Sequence, residues 1–443
     1  MLPDFEGPVR WCVGPLAEEG DLLRLLMLEQ AEFEAVLRQP VIFDVARADH
    51  PGPEVWSVVL DPSAPHAALE ASGAGRRIVM TIPKSEDAID GINLLHTLAY
   101  SPEPVVVDSE VETYAAAFDR IRDEITHIFP SQHLRRLDWN AITSSYGYVR
   151  DLNGEEFWEH AQRWVAELGD AHTQLHRDGS AFHPPYLAVM DAGGATLLDV
   201  PENSDAWDAG VREGDRLQVD QPRAWLSRVG ASPQHQQMIA ARRFLAMAST
   251  SREFTAMSSM GRRIAWTETR RDRPGLVAAG NNLTIRTIAS DLPTELHRAL
   301  DGADPAQPLT LDLRGNVGGD LLAALNASRL LIRDDQPFGS IAFTTGRGTL
   351  ADAAGLARTP HPDAWSGRIH VLVDPMTYSA AEDLIHPLVG APHVTIIGGP
   401  TGGGSGRPHT RRLKDDFRLA TSTAITYTRD GSPIECQGIQ PTA

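Results

Sequence analysis

"RIHVLVDPMTYSAAEDLIHPLV", residues 368–389, decides how this chain is read. Its first six residues alternate and carry β-branched side chains, the pattern of a strand. The run "AAEDLIHPLV" then opens with Glu382 and Asp383, acidic residues in the first turn, where a helix dipole favours them. Between the two stands Ser379, a hydroxyl at a strand-to-helix junction close to backbone N–H groups that a helix start leaves unbonded. Such a serine either caps the helix or attacks something.

Outward from that stretch, strand and helix patterns alternate from 276 onward. "NLTIRTI" (282–288) is followed by helical "TELHRALDGA" (294–303), strand "LTLDLR" (309–314), helical "DLLAALNASRLL" (320–331) and, beyond Ser379, strand "HVTIIGG" (393–399). The alternation predicts an α/β core with a mainly parallel sheet covered on both faces. Three turns follow its strands: "LDLRGNVGGD" (311–320), "MTYSAAED" (376–383) and "IIGGPTGGGSG" (396–406). In such sheets ligands gather outside the carboxyl ends of the strands. None of the three is a phosphate loop, because no Gly-Lys-Ser/Thr follows. Gly318 and Gly319 let backbone N–H groups approach a reacting atom, the material of an oxyanion hole, or else they make tight turns.

Upstream, residues 181–275 read as short strands around a small helix and the turn "AGVREGD" (209–215). Residues 105–180 are helical. Phe118, Ile121, Ile125 and Ile128 recur at helical spacing up to Pro130, and Phe157, Ala161, Trp164, Val165 and Leu168 share one face of a second helix closed by Gly169. Residues 1–104 read as a mixed α/β accessory region, with helical "DLLRLLMLEQAEFEAVLR" (21–38) and strands in "EVWSVVLDP" (54–62) and "RRIVMTIPK" (76–84).

Bulk properties exclude several roles. The 443 residues allow two to four domains, and a net charge of −19 argues against nucleic acid as a partner. Lys84 and Lys414 are the two lysines, so a lysine mechanism elsewhere is excluded. Cys12 and Cys436 are far apart and form no metal-type pair. "MLPDFEGPVRWCVGPLAEEG" (1–20) lacks the basic start and apolar core of a signal peptide, and no apolar run is long enough to span a bilayer. The expectation is a cytoplasmic protein with no membrane partner. Arginine pairs 242–243, 262–263 and 270–271 read as solvated charges, or as a site for a peptide carboxylate.

"LGDAHTQL" (168–175), "LDLRGNVGG" (311–319), "YSAAED" (378–383), "IIGGPTGGGSG" (396–406) and "DGSPIECQGIQP" (430–441), in this order, resemble the tail-specific, or C-terminal processing, serine peptidase family. The tricorn-like branch is the nearest likeness, and "FDRIRDEITHIFPSQHLRRLDWNAI" (118–142) is similar to its segment before the catalytic histidine. "AWDAGVREGDRL" (206–217) resembles the PDZ module of the same proteins. The resemblance spans about 115–443 and implies an α/β multidomain architecture. Beside the accessory region 1–104, which the resemblance does not reach, it gives a helical segment 105–180 carrying the catalytic histidine, a PDZ-like β domain 181–275 and a catalytic core 276–443.

One layout of the family pairs serine with a lysine in the turn that here reads "PTGGGSG", where the matching position is Gly404. The other uses serine, histidine and glutamate. The resemblance therefore implies Ser379 as nucleophile, His172 as base and Glu435 as the orienting carboxylate, with the N–H groups of Ala380 and of Gly318 or Gly319 holding the oxyanion. Neither cofactor nor metal is required. The implied partners are peptides or unfolded protein tails, and a homo-oligomer is left open. Glu382 is expected to steady the first helical turn. Ala171 replaces a serine that the tetrad branch can carry, Cys436 stands where glycine is usual, and "IQPTA" lacks the aspartate expected after its proline. Two other readings remain at this point: a non-proteolytic, ligand-binding member of the same fold, and a serine hydrolase or acyltransferase specialised for a small modified peptide.

Overall fold

The computed structural model describes residues 9–13, 41–44, 56–60, 68–72, 77–82 and, from 113 onward, all but 178–181, 248, 271–273, 334–336, 345–347 and 351. The helical pattern at 21–38 lies outside the described residues. The chain forms two compact units, neither continuous in sequence. One contains residues 1–139, 335–359 and 406–432; the other contains 140–334, 360–405 and 433–443.

In the first unit a five-stranded sheet runs in the order 41–44, 9–13, 56–60, 77–82, 68–72. The first four strands are parallel and the last is antiparallel. Both strands expected in this region, within 54–62 and 76–84, are present. The helix Tyr114–Ile128 starts at Thr113, whose Oγ1 accepts the Ala116 N–H at 3.1 Å. It buries Phe118, Ile121, Ile125 and Ile128, the face its spacing predicts. Ile128 joins Phe338, Ile341, Phe343, Leu356 and Ala424 in a small core. Glu124, buried on the same helix, is held by Arg411 Nε at 2.7 Å, so the charge is paired rather than left alone.

The second unit carries two sheets. The strands Leu276–Ala279, Asn282–Ile285, Leu309–Asp312, Ile369–Val373 and Val394–Gly398 lie side by side in that order. Only the first is antiparallel to its neighbour, so the sheet is mainly parallel, as the alternation predicts. Leu311 sits between Leu283 and Val371, and Val371 pairs with Ile396. With the helices Leu292–Asp301, Leu321–Ser328 and Ala380–Ile385 these side chains make the larger core. The chain's last residues finish the edge of this sheet: Ile396 N–H donates to Thr442 Oγ1 at 2.9 Å, and Thr442 N–H to Ile396 O at 2.8 Å.

The other sheet is antiparallel, in the order 263–269, 251–257, 216–217, 194–199, 187–191. It encloses its own core of Met190, Leu197, Val211, Phe254 and Trp266. The helix Gln236–Leu245 packs against the edge strand Leu187–Asp191. The short helix Asp205–Asp208 is capped by Ser204, and Asp215 closes the turn after it by accepting the N–H groups of Arg212 and Ser259. Among the described residues no helix is long and apolar enough to cross a membrane.

Candidate active site

The three turns at the carboxyl ends of the parallel strands meet, and Asp374 is why two of them meet. Its carboxylate accepts the Gly315 N–H at 3.0 Å from across the sheet, and the N–H groups of Met376 and Thr377 at 2.9 and 3.0 Å from its own turn. Thr377 Oγ1 donates to Leu313 O at 3.0 Å, and Tyr378 N–H to Asn316 O at 3.0 Å. Burial pushes the Asp374 pKa up despite these bonds.

Ser379 emerges from this frame with φ 57° and ψ −129°, a backbone conformation that side chains other than glycine adopt at a cost of about 1–3 kcal/mol. Such a sharp strand-to-helix turn thrusts the side chain out of the sheet. What it faces is His172: Nε2 lies 2.9 Å from Ser379 Oγ, although 207 residues separate the two. His172 is itself placed by local rules. The helix Gly154–Ala166 ends three residues before Gly169, whose φ of 65° turns the chain. Asp170 then accepts the His172 N–H at 3.2 Å and the Thr173 hydroxyl at 2.7 Å, fixing the loop.

Glu382 does more than steady a helical turn. It is fully buried, and its Oε2 accepts the N–H groups of Ser379 and Gly404 at 3.1 and 2.8 Å. Its Oε1 accepts the Gly403 N–H at 2.9 Å and the Thr401 hydroxyl. One carboxylate thus ties the Ser379 turn to the loop 401–404. Burial pushes its pKa up to about 7, against the opposing pull of the Thr401, Gly404, Gly403 and Ser379 donors. The sequence carried the signal, since "SAAE" (379–382) is a capping-box spacing.

Gly404 explains why a lysine does not fit there. A Cβ on it would lie 2.1 Å from the Tyr378 hydroxyl oxygen. Tyr378 has little room to yield, because its ring is held between two imidazoles: His235, stacked at 4.5 Å and 10°, and His172, tilted at 4.7 Å and 41°. His235 is fully buried and donates Nδ1–H to Pro375 O at 2.6 Å. Burial pulls its pKa down to about 4, with the Pro375 bond opposing and His172 and two arginines adding to the fall. Tyr378 and His235 were missed in the sequence because no local pattern joins residues 143 positions apart.

Glu435 is buried, and its Oε1 accepts the Ser405 N–H at 3.1 Å, while Ser405 Oγ donates to Asp383 Oδ1 at 2.8 Å. The carboxylate therefore grips the same loop that Glu382 holds. Cys436 beside it has φ 72°, which accounts for the glycine usual at that position. Its carbonyl and that of Thr401 both accept from Gln234 Nε2 at 3.1 Å. Gln234 lies just before the helix Gln236–Leu245, so the antiparallel sheet's helix is fastened to the active-site loop.

The two oxyanion glycines differ. Gly318 donates its N–H to Asn316 Oδ1 at 2.9 Å, which leaves Gly319 as the other glycine the sequence offered. Its contribution is closeness, since a Cβ at Gly318 would come within 2.8 Å of Ala380 N. Gly319 is held open by Ile288, whose N–H donates to Gly318 O and whose O accepts the Asp320 N–H. Among the described residues neither the Gly319 nor the Ala380 N–H has an acceptor. Of the arginine pairs, 242–243 is half-buried rather than freely solvated: Arg243 donates to Arg228 O and to Gln174, and desolvation pulls both guanidinium pKa values down to about 10.

Residues 282–443 match the description peptidase family S41, the segment holding both glycine turns, Ser379 and Glu435. Over this segment the chain is similar to the S41 peptidases. The carboxy-terminal processing protease CtpA of Bacillus subtilis (strain 168) is 29% identical over 162 residues, which cover 36% of this chain and 33% of the relative. The match thus spans a third of that relative's length. Two solved structures share the fold well beyond residues 282–443. The photosystem II D1 C-terminal processing protease aligns at TM-score 0.51 and 16% identity, over 75% of this chain and 93% of its own. Mature CPAF aligns at TM-score 0.55 and 13% identity, over 74% and 91%.

Proposed function

We propose that the protein is a serine peptidase that cleaves peptides or protein C-terminal tails through an acyl-enzyme, in the serine–histidine–glutamate layout of the tricorn-like branch. The observation that carries this reading is the 2.9 Å approach of His172 Nε2 to Ser379 Oγ on a strained turn. His172 takes the hydroxyl proton as Oγ attacks the scissile carbonyl, and Gly319 and Ala380 N–H groups stabilise the oxyanion. The proton passes from His172 to the leaving amine, and the C–N bond breaks. Water, deprotonated by the same imidazole, then releases the acyl group and restores Ser379. Glu435 and Glu382 hold the loop and turn that frame this geometry.

The antiparallel sheet is proposed as the PDZ-like reader of substrate tails. Its edge strand Leu187–Asp191 beside the helix Gln236–Leu245 suits an extended peptide added as a further strand. The expected setting is the cytoplasm. The S41 match, CtpA and the D1-processing structure support the substrate class. A fluorophosphonate probe tests the reading: it should label wild-type protein at Ser379 and leave Ser379→Ala and His172→Ala unlabelled. Labelling elsewhere, or none, would overturn it, and mass spectrometry of peptide products separates hydrolysis from acyl transfer.

A further inference from the structure

Away from the active site, two imidazoles and a carboxylate converge on one point. His297 lies on the helix Leu292–Asp301, whose buried face is Leu292, Leu296 and Leu300. His361 and Asp363 lie in the loop "HPDAW" (361–365). His297 Nε2 is 3.4 Å from Asp363 Oδ2, and His361 Nδ1 is 3.7 Å from the same oxygen. The two rings stand edge to face with centroids 5.1 Å apart, and one ligand atom from each of the three residues falls within a 4.8 Å spread.

The loop is preset. His361 N–H donates to Arg329 O and Trp365 N–H to Leu330 O, each at 2.8 Å, at the end of the helix Leu321–Ser328. Trp365 is buried, and Pro362 stiffens the step between the two loop ligands. His361 Nδ1 accepts the Asp363 N–H at 3.1 Å, a bond that a cation on the same nitrogen would replace. Among the described residues no arginine or lysine pairs with Asp363; both groups facing it are imidazoles. An ordinary surface ion pair needs one histidine. Here an imidazole nitrogen stands on either side of one carboxylate oxygen, a set of donors close enough to share a cation.

We propose that His297, His361 and Asp363 form a binding site for a borderline divalent cation of the zinc type. Bonds of about 2.0–2.2 Å in a tetrahedral shell place neighbouring donors roughly 3.3–3.5 Å apart, so the ligands need only small shifts. Two nitrogens and one oxygen suit zinc, cobalt or nickel, whereas calcium and magnesium require mostly oxygen ligands. Water completes the shell on the exposed side, and Asp301, 4.0 Å from His297 Nε2, is placed to accept from that water. The cation would cross-link the helix to the loop and stabilise this edge of the unit. It takes no part in the serine chemistry, and the 63 residues between His297 and His361 hide the site from any local motif.

Calorimetric titration of zinc chloride into the full chain tests the site, alongside the double variant His297→Gln/His361→Gln and, separately, Asp363→Asn. One saturable event should be present in the wild type and be weakened by at least about tenfold in both variants. Cobalt should give the intense visible bands of a tetrahedral complex with the wild type only. Probe labelling at Ser379 without metal should be the same in all three proteins, showing that they are folded. Zinc binding unchanged in the variants, or no saturable event in the wild type, would overturn the proposal. Asp363→Asn, at an exposed position, keeps the test decisive if the double variant fails to fold.

Discussion

At Ser379 the structure separates two jobs that the sequence offered one residue. Glu382 returns the backbone bond of the capping box, which leaves the hydroxyl facing His172. Ser379→Ala should therefore keep the fold and melting temperature while turnover falls by several orders of magnitude. Retention of more than about a tenth of wild-type peptidase activity, measured by product formation from an unlabelled peptide, would refute the nucleophile assignment. His235 makes a second prediction. Its pKa falls to about 4 on folding, so it contributes stability that is full above its unfolded pKa near 6.5 and lost as pH drops toward 4. The linkage is worth about 3 kcal/mol at most. Denaturant unfolding of His235→Phe across that window should give a flatter stability curve than wild type. Parallel curves would show that His235 is not held neutral by the fold.

The loop 401–405 is the element on which the site depends. Glu382, Glu435, Gln234 and Tyr378 all bear on it, from a helix start, the C-terminal segment, the antiparallel sheet's helix and the nucleophile turn. Glu382→Gln places an amide N–H₂ against N–H donors, and should cost about 2–4 kcal/mol of stability as well as most activity. A melting temperature equal to wild type would show that the clamp is not needed. Gly404 is constrained from the other side, since any Cβ meets the Tyr378 hydroxyl. Gly404→Lys should not rescue His172→Ala, because the lysine would displace Tyr378 before its amine reached Ser379. Full activity in that double variant would sink the serine–histidine reading. The loop also marks the limit of sequence reading. The turns around 311–320, 376–383 and 396–406 were legible because glycine, serine and strand ends are local signals. That Gly318 spends its N–H on Asn316 while Gly319 does not depends on a side chain two residues away turning back, which no pattern announces.

Across the whole chain, the mainly parallel sheet was legible because buried strands and amphipathic helices have distinct periods. The helix Gln236–Leu245 was not, because its apolar pattern is interrupted by Arg242 and Arg243, which the structure leaves half-buried. That helix matters for how substrate would be chosen. It flanks the edge strand Leu187–Asp191, and Gln234 just before it bonds the carbonyls of Thr401 and Cys436. A tail added along that edge would press on an element fastened to the active-site loop. A peptide carboxylate held on backbone N–H groups loses its charge when amidated. For long peptides, C-terminal amidation should therefore raise KM several-fold with a smaller fall in kcat. Short peptides that reach only Ser379 should be indifferent. Gln234→Ala should leave the KM contrast between free and amidated tails intact while lowering kcat for both, since it loosens the loop and not the groove. Equal KM values for long peptides with free and amidated ends would show that this sheet does not read tails, and would reduce its helix to a support for the loop.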